Sequence, residues 1–241
     1  MNRNRLQPVE AAKRFITEHF ADCQAALLAG SVIRGEETAT SDLDIVVFDE
    51  KIESAYRESL IEYGWPIEVF VHNFSSYKVF FMEDCERARP SLPRMVSEGI
   101  ILFDSGVVSL IKEEANELLK KGPEVWSIKT IEMRRYMITD ALDDLIGSTN
   151  RAEEIFIANT LADAIHEFFL RTNVQWIGAS KWIMRALNQF DKNFARTFVQ
   201  AFDAFYKTGN KDAIIDLADE VLKPYGGRLF EGYSMGKGDR I

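Results

Sequence analysis

The sequence predicts an α+β chain in which a small mixed-sheet domain over residues 1–124 precedes an all-helical bundle over residues 125–241. Three observations lead there. Short apolar runs of strand character occur only in the first half. Beyond Gly122-Pro123 no strand pattern returns, and apolar residues recur at helical spacing through five successive segments. Gly122-Pro123 itself stops a helical pattern, which places the domain boundary at residues 122–127.

Each element has its own local reason. Residues 8–20 read as an amphipathic helix because Val9, Ala12, Phe15, Ile16 and Phe20 fall on one face. Residues 24–29 form a first strand and residues 42–48 a second. Tyr56–Glu62 forms a third, and Gly64-Trp65-Pro66 turns the chain into a strand at 67–72. A hairpin of this kind puts Glu68 near a sheet edge. Residues 78–87 read as helix, Pro90 and Pro93 punctuate the next piece, and 95–98 continue it. Ile100, Ile101, Leu102 and Phe103 make a short buried strand, and 107–121 a helix.

In the second half, residues 128–146, 152–170, 180–190, 194–206 and Asp212–Leu222 read as helices. Ile155, Ala158, Ala162, Ile165 and Phe169 form one core-facing stripe, and Phe194, Phe198, Ala201 and Phe205 another. Gly226, Gly227, Gly232, Gly236 and Gly238 make the tail a loop.

Composition narrows the function. The chain has 241 residues and a formal net charge of −9, which argues against a protein whose main task is gripping nucleic acid. The same charge suits a cationic small substrate. No apolar run is long enough for a membrane span. The N-terminal Arg3 and Arg5 have no apolar region behind them, so no secretory signal is expected. Cys23 and Cys85 show no metal-binding spacing, and a reduced, cytoplasmic setting is expected.

The most informative segment is Leu27-Leu28-Ala29-Gly30-Ser31, followed ten residues on by Ser41-Asp42-Leu43-Asp44-Ile45-Val46-Val47. Residues i and i+2 of a strand share a face, so Asp42 and Asp44 would project together with Cα atoms roughly 7 Å apart. Paired carboxylates suit Mg²⁺, which binds through one or two carboxylates plus substrate phosphates. Glycine allows close backbone approach to a phosphate, and the Ser31 hydroxyl and neighbouring N–H groups can donate to it. Glu68 sits within the alternating apolar run Ile67-Glu68-Val69-Phe70-Val71. It reads either as a third ligand or general base, or as a solvent-facing residue on an edge strand.

Gly30-Ser31, the spacer and Asp42-Leu43-Asp44 resemble the signature of the polymerase-beta-like nucleotidyltransferase superfamily, and aminoglycoside nucleotidyltransferases in particular. The resemblance implies a catalytic nucleotidyltransferase domain over 1–124 and a helical substrate-binding domain over 125–241, with substrate between them. It implies transfer of a nucleoside monophosphate, AMP from ATP, to a hydroxyl of a small aminoglycoside-like molecule, with release of pyrophosphate. Asp42, Asp44 and Glu68 would hold Mg²⁺ and carry catalysis, and Gly30 and Ser31 the β- and γ-phosphates. Ser41 would support the nucleotide site beside the first aspartate. The run from Trp176 to Leu187 is similar to the helical-domain segment facing the nucleotide, and through it Lys181 would contact the triphosphate.

Other residues are weighed against plainer roles. Arg185 shares a helix face with Lys181 and reads as a solvated basic residue. Arg34, just after the Gly-Ser turn, is a candidate phosphate contact. Asp140, Asp143 and Asp144 read as either a substrate-binding cluster or a charged solvent face. His19, His72 and His166 receive no metal, and the Arg14–His19 spacing is treated as chance. The expected partners are a small-molecule acceptor and, as an allowed assembly, a second copy in a homodimer; neither nucleic acid nor a membrane is expected. Two other functions stay open: adenylylation of a partner protein by an antitoxin-like enzyme, and non-catalytic nucleotide binding.

Overall fold

The computed structural model describes residues 5–236, so the N-terminal Arg3 and Gly238 of the tail lie outside the described residues. The described chain is a five-stranded mixed sheet with helices, followed by helices alone. It divides into two compact units, Met1–Gly122 and Pro123–Ile241. No helix among the described residues is long and apolar enough to cross a membrane.

The first unit runs α1 (Pro8–His19), β1 (Ala25–Ala29), β2 (Leu43–Phe48), β3 (Tyr56–Glu62), β4 (Trp65–His72), α2 (Ser76–Glu86), α3 (Ser91–Glu98), β5 (Ile100–Asp104) and α4 (Val108–Lys121). The sheet order is β3-β4-β2-β1-β5. β4 pairs parallel to β2, and the other neighbours pair antiparallel.

The central strands are apolar on both faces because both are covered. On one face Ala26, Leu28, Ile45, Val47, Ile67 and Val69 meet Ala12, Phe15 and Ile16 of α1. On the other, Leu27, Val46 and Phe48 meet Tyr77 and Phe81 of α2, Val96 of α3 and Ile111 of α4. Each fully buried leucine, valine or phenylalanine here stabilises the fold by about 1.5–3 kcal/mol.

In this unit four sequence expectations change. Asp42 lies just before β2 rather than in it. Trp65 and Pro66 belong to β4 rather than to a turn, which falls at Tyr63-Gly64. Pro66 precedes Ile67, the first β4 residue registered with β2, so its missing N–H breaks no bond to that neighbour. β4 is an internal strand, so Glu68 is not at the sheet edge. β5 is an edge strand, and Ile100, Ile101 and Phe103 are exposed rather than buried.

The second unit contains α5 (Ile128–Gly147), α6 (Arg151–Thr172), α7 (Lys181–Phe190), α8 (Lys192–Thr208) and α9 (Asp212–Leu222). Its core includes Leu142, Leu161, Ile165, Phe168, Leu187, Phe205 and Leu217. The α6 stripe is rotated slightly from the expected one. Ala158 and Ile165 are buried, but Ile155 is exposed and Phe168 rather than Phe169 is fully enclosed. Phe169 instead stacks on Phe194 of α8, with ring centroids 3.5 Å apart.

The starts of α5, α6 and α8 are capped by side chains. Ser127 accepts from the Thr130 N–H at 3.1 Å, and Asn150 from Ala152 at 3.1 Å. Asp191 accepts from Asn193 at 2.8 Å and Phe194 at 3.0 Å, satisfying two otherwise unpaired donors of α8. Asp191→Ala is expected to cost about 1 kcal/mol, seen as a lower urea midpoint with an unchanged slope; an unchanged midpoint would show that the cap contributes nothing.

Candidate active site

Strand pairing assembles the site. β1 delivers Ala29 opposite Asp44, and the parallel β2–β4 pairing sets Glu68 beside Asp44. Asp44 alternates with Val46 and Phe48 and so shares their sheet face. Asp42 adds a third carboxylate from the loop end. One oxygen from each of Asp42, Asp44 and Glu68 lies within 4.8 Å of the other two, all three side chains being half-buried.

Gly30 follows β1 with φ of +84°, a backbone conformation that favours glycine. A Cβ there would collide with the Asp44 carboxylate, lying 2.9 Å from its Cγ and 3.1 Å from its Cβ. Glycine is therefore what allows the turn to run directly against a site carboxylate. Ser31 opens a 3₁₀ turn, Val32–Arg34, closed by Gly35 at φ of +67°.

The intervening loop is held by its own polar groups. The Ser31 hydroxyl donates to Ser41 Oγ at 3.2 Å, and the Thr38 N–H donates to the same oxygen at 2.8 Å. Arg5 donates to the Ser41 carbonyl at 2.8 Å while its guanidinium stacks 3.2 Å from the Trp65 ring centroid. The peptide leading into Asp42 is thus tied to both the loop and β4. Arg34 is ion-paired to Glu98 and to Glu36, the latter at 3.2 Å.

Burial raises the Asp44 pKa to about 6, and the neighbouring Asp42 and Glu68 charges push in the same direction, against smaller opposing effects of Arg34 and Arg57. Such a pocket disfavours its own ionised state until a cation arrives. Three oxygen donors whose mutual repulsion Arg34 and Arg57 offset only in part fit a hard divalent ion such as Mg²⁺.

The other sequence candidates are placed as follows. Lys181 opens α7 in the second unit and is exposed; Arg185 stacks over Trp182 at 4.6 Å. Asp140, Asp143 and Asp144 lie on the exposed face of α5. Asp143 and Asp144 line an open depression of about 560 Å³ with Ser148, Glu153 and Phe156. His19 pairs with Glu62 at 3.0 Å and Arg14 with Glu18 at 2.7 Å, both on the surface. His72 and His166 are buried, and desolvation lowers both pKa values, that of His72 to about 4. Sequence reasoning missed Arg57, whose guanidinium is ion-paired with Glu68 from the neighbouring strand. Only the β3–β4 register could have pointed to it.

No protein-family model matches the sequence, and no curated protein matches it. Among solved structures, the chain is similar to a nucleotidyltransferase-like protein from Exiguobacterium sibiricum 255-15. The two are 11% identical, the alignment covers 90% of this chain and 74% of that one, and the TM-score is 0.46.

Proposed function

We propose that this protein is a Mg²⁺-dependent nucleotidyltransferase that moves AMP from ATP to a hydroxyl of a small, cationic, aminoglycoside-like acceptor and releases pyrophosphate. The observation carrying the reading is the cluster of Asp42, Asp44 and Glu68, with ligand atoms within 4.8 Å of one another, packed against the Gly30 turn.

Asp42, Asp44 and Glu68 would hold the ion, which supplies positive charge against the phosphate oxygens. Gly30 lets the turn approach a phosphate closely, and Ser31 and backbone N–H groups there donate to its oxygens. Ser41 keeps the loop in register, since its hydroxyl is engaged by Ser31 and Thr38. Lys181 is assigned to the triphosphate by the sequence resemblance. The attacking hydroxyl belongs to the acceptor, and its proton must leave as the new phosphate ester forms. The protein's main work is positioning and charge neutralisation. A cationic acceptor is supported by the net charge of −9 and by the acidic depression holding Asp143, Asp144 and Glu153 beside the exposed Phe156 ring.

The test is incubation with Mg²⁺, ATP and a panel of aminoglycosides, following pyrophosphate release and acceptor mass. The expected result is acceptor-dependent release and an acceptor heavier by one AMP residue. Release that rises only with RNA or a protein acceptor would overturn the acceptor assignment. ATP binding without any transfer would point to a non-catalytic nucleotide-binding protein.

A further inference from the structure

We infer that Arg57 is a positioning residue that holds Glu68 inside the carboxylate cluster, an inference that rests on the metal-site reading above. Arg57 lies on β3, the outer strand beside β4. Its register partner is Phe70, while Glu68 is registered with Ser59, so Arg57 and Glu68 are diagonal neighbours across the pair. The Arg57 Nη2 donates to Glu68 Oε2, and its Cζ lies 4.9 Å from the Phe70 ring centroid. The guanidinium is thus fixed by a ring on one side and a carboxylate at its tip.

Glu68 needs such a partner more than the two aspartates do. Asp44 has a short side chain on a central strand, and the peptide before Asp42 is tied down by Arg5. Glu68 has one more rotatable bond and faces two like charges with ligand atoms within 4.8 Å. Repulsion in the cluster would turn out the longest side chain first. Arg57 opposes that motion by engaging one carboxylate oxygen and so restricting the orientation of the other.

Charge and positioning predict opposite signs. Removing a cation beside a cation site tightens metal binding if only the net field matters. Removing the group that orients a ligand weakens it, by about tenfold for a typical outer partner of a metal ligand. Arg57 is more than half exposed, with a side-chain accessibility of 57%, so solvent screens its field while its hydrogen bond remains local.

The experiment titrates Mn²⁺ alone, followed by electron paramagnetic resonance, into wild type, Arg57→Ala, Arg57→Lys, Glu68→Gln and the Arg57→Ala/Glu68→Gln pair, with circular dichroism to check the fold. Expected are about tenfold weaker binding in Arg57→Ala, substantial recovery in Arg57→Lys, and no further weakening when Arg57→Ala is added to Glu68→Gln. In turnover, kcat should fall with KM for ATP unchanged. Binding that tightens or stays the same in Arg57→Ala overturns the inference. So does weakening that persists in the Glu68→Gln background, or a raised KM for ATP with kcat retained, which would make Arg57 a phosphate contact. Wild type that binds no Mn²⁺ would sink the metal-site reading and this inference together; wild-type binding matched by Arg57→Ala would sink the positioning role alone.

Discussion

Asp44→Asn is expected to lower Mg²⁺-dependent nucleotide turnover by on the order of 10³-fold or more, because it removes a charged ligand from the centre of the cluster. Its effect on stability should have the opposite sign. With no metal bound, burial and the adjacent Asp42 and Glu68 charges raise the Asp44 pKa to about 6, against about 3.9 in an unfolded chain. The folded protein therefore holds this proton more tightly than the unfolded one. Asp44 costs no stability below about pH 4, costs progressively more as pH rises from 4 to 6, and costs its full amount above. Allowing for partial solvation, that amount is about 1–3 kcal/mol.

Asp44→Asn should accordingly raise the metal-free melting temperature at pH 8 and leave it nearly unchanged at pH 4. Saturating Mg²⁺ should stabilise wild type and not the variant. Near-native turnover in Asp44→Asn and in Asp42→Asn would rule out these residues as metal ligands. A variant less stable than wild type at pH 8 without metal would contradict the electrostatic account.

Gly30→Ala is expected to lose activity by about 10²-fold or more, and stability by roughly 2 kcal/mol. Two causes add. A backbone φ of +84° is strained for any residue bearing a Cβ. The new methyl group would also occupy the space of the Asp44 carboxylate, lying 2.9 Å from its Cγ. That carboxylate can relieve the clash only by leaving the cluster, so the activity loss should exceed what the stability loss alone produces.

A double-mutant cycle separates the causes. Combined with Asp44→Ala, the Gly30→Ala change should cost less stability, leaving the backbone strain and the 3.1 Å approach to the Cβ of residue 44. A fully additive pair would show that the methyl group never meets Asp44. If Gly30→Ala keeps wild-type turnover, the close approach of turn and carboxylate is not needed for the reaction.

Several features of the fold and site were legible because they are local. Short apolar runs mark β1 and β2, two-residue alternation marks Ile67–Val71 of β4, and Asp212–Leu222 carries helical spacing along its whole length. The candidate donors were legible too, since Gly30, Ser31, Asp42 and Asp44 lie in one short stretch bounded by apolar runs. The errors fell where local pattern is silent. Pro66 looked like a turn residue, yet it is tolerated where β4 extends beyond β2. Ile100, Ile101 and Phe103 looked like a buried strand because an apolar run carries no mark of its place in a sheet. In α6 the apolar residues surround more than one face, so spacing alone could not choose Phe168 over Phe169.

By itself, the sequence determined which segments form strands and helices, and which carboxylates and glycine are candidates for phosphate and metal chemistry. These depend on residue type and spacing within a few turns of chain. Only the tertiary structure decided strand order. In the fold, with apolar cores packed on both faces of the sheet, β4 returns between β3 and β2 and pairs parallel to β2. That non-local choice set Glu68 beside Asp44, set Arg57 beside Glu68, and joined carboxylates 24 positions apart into one cluster.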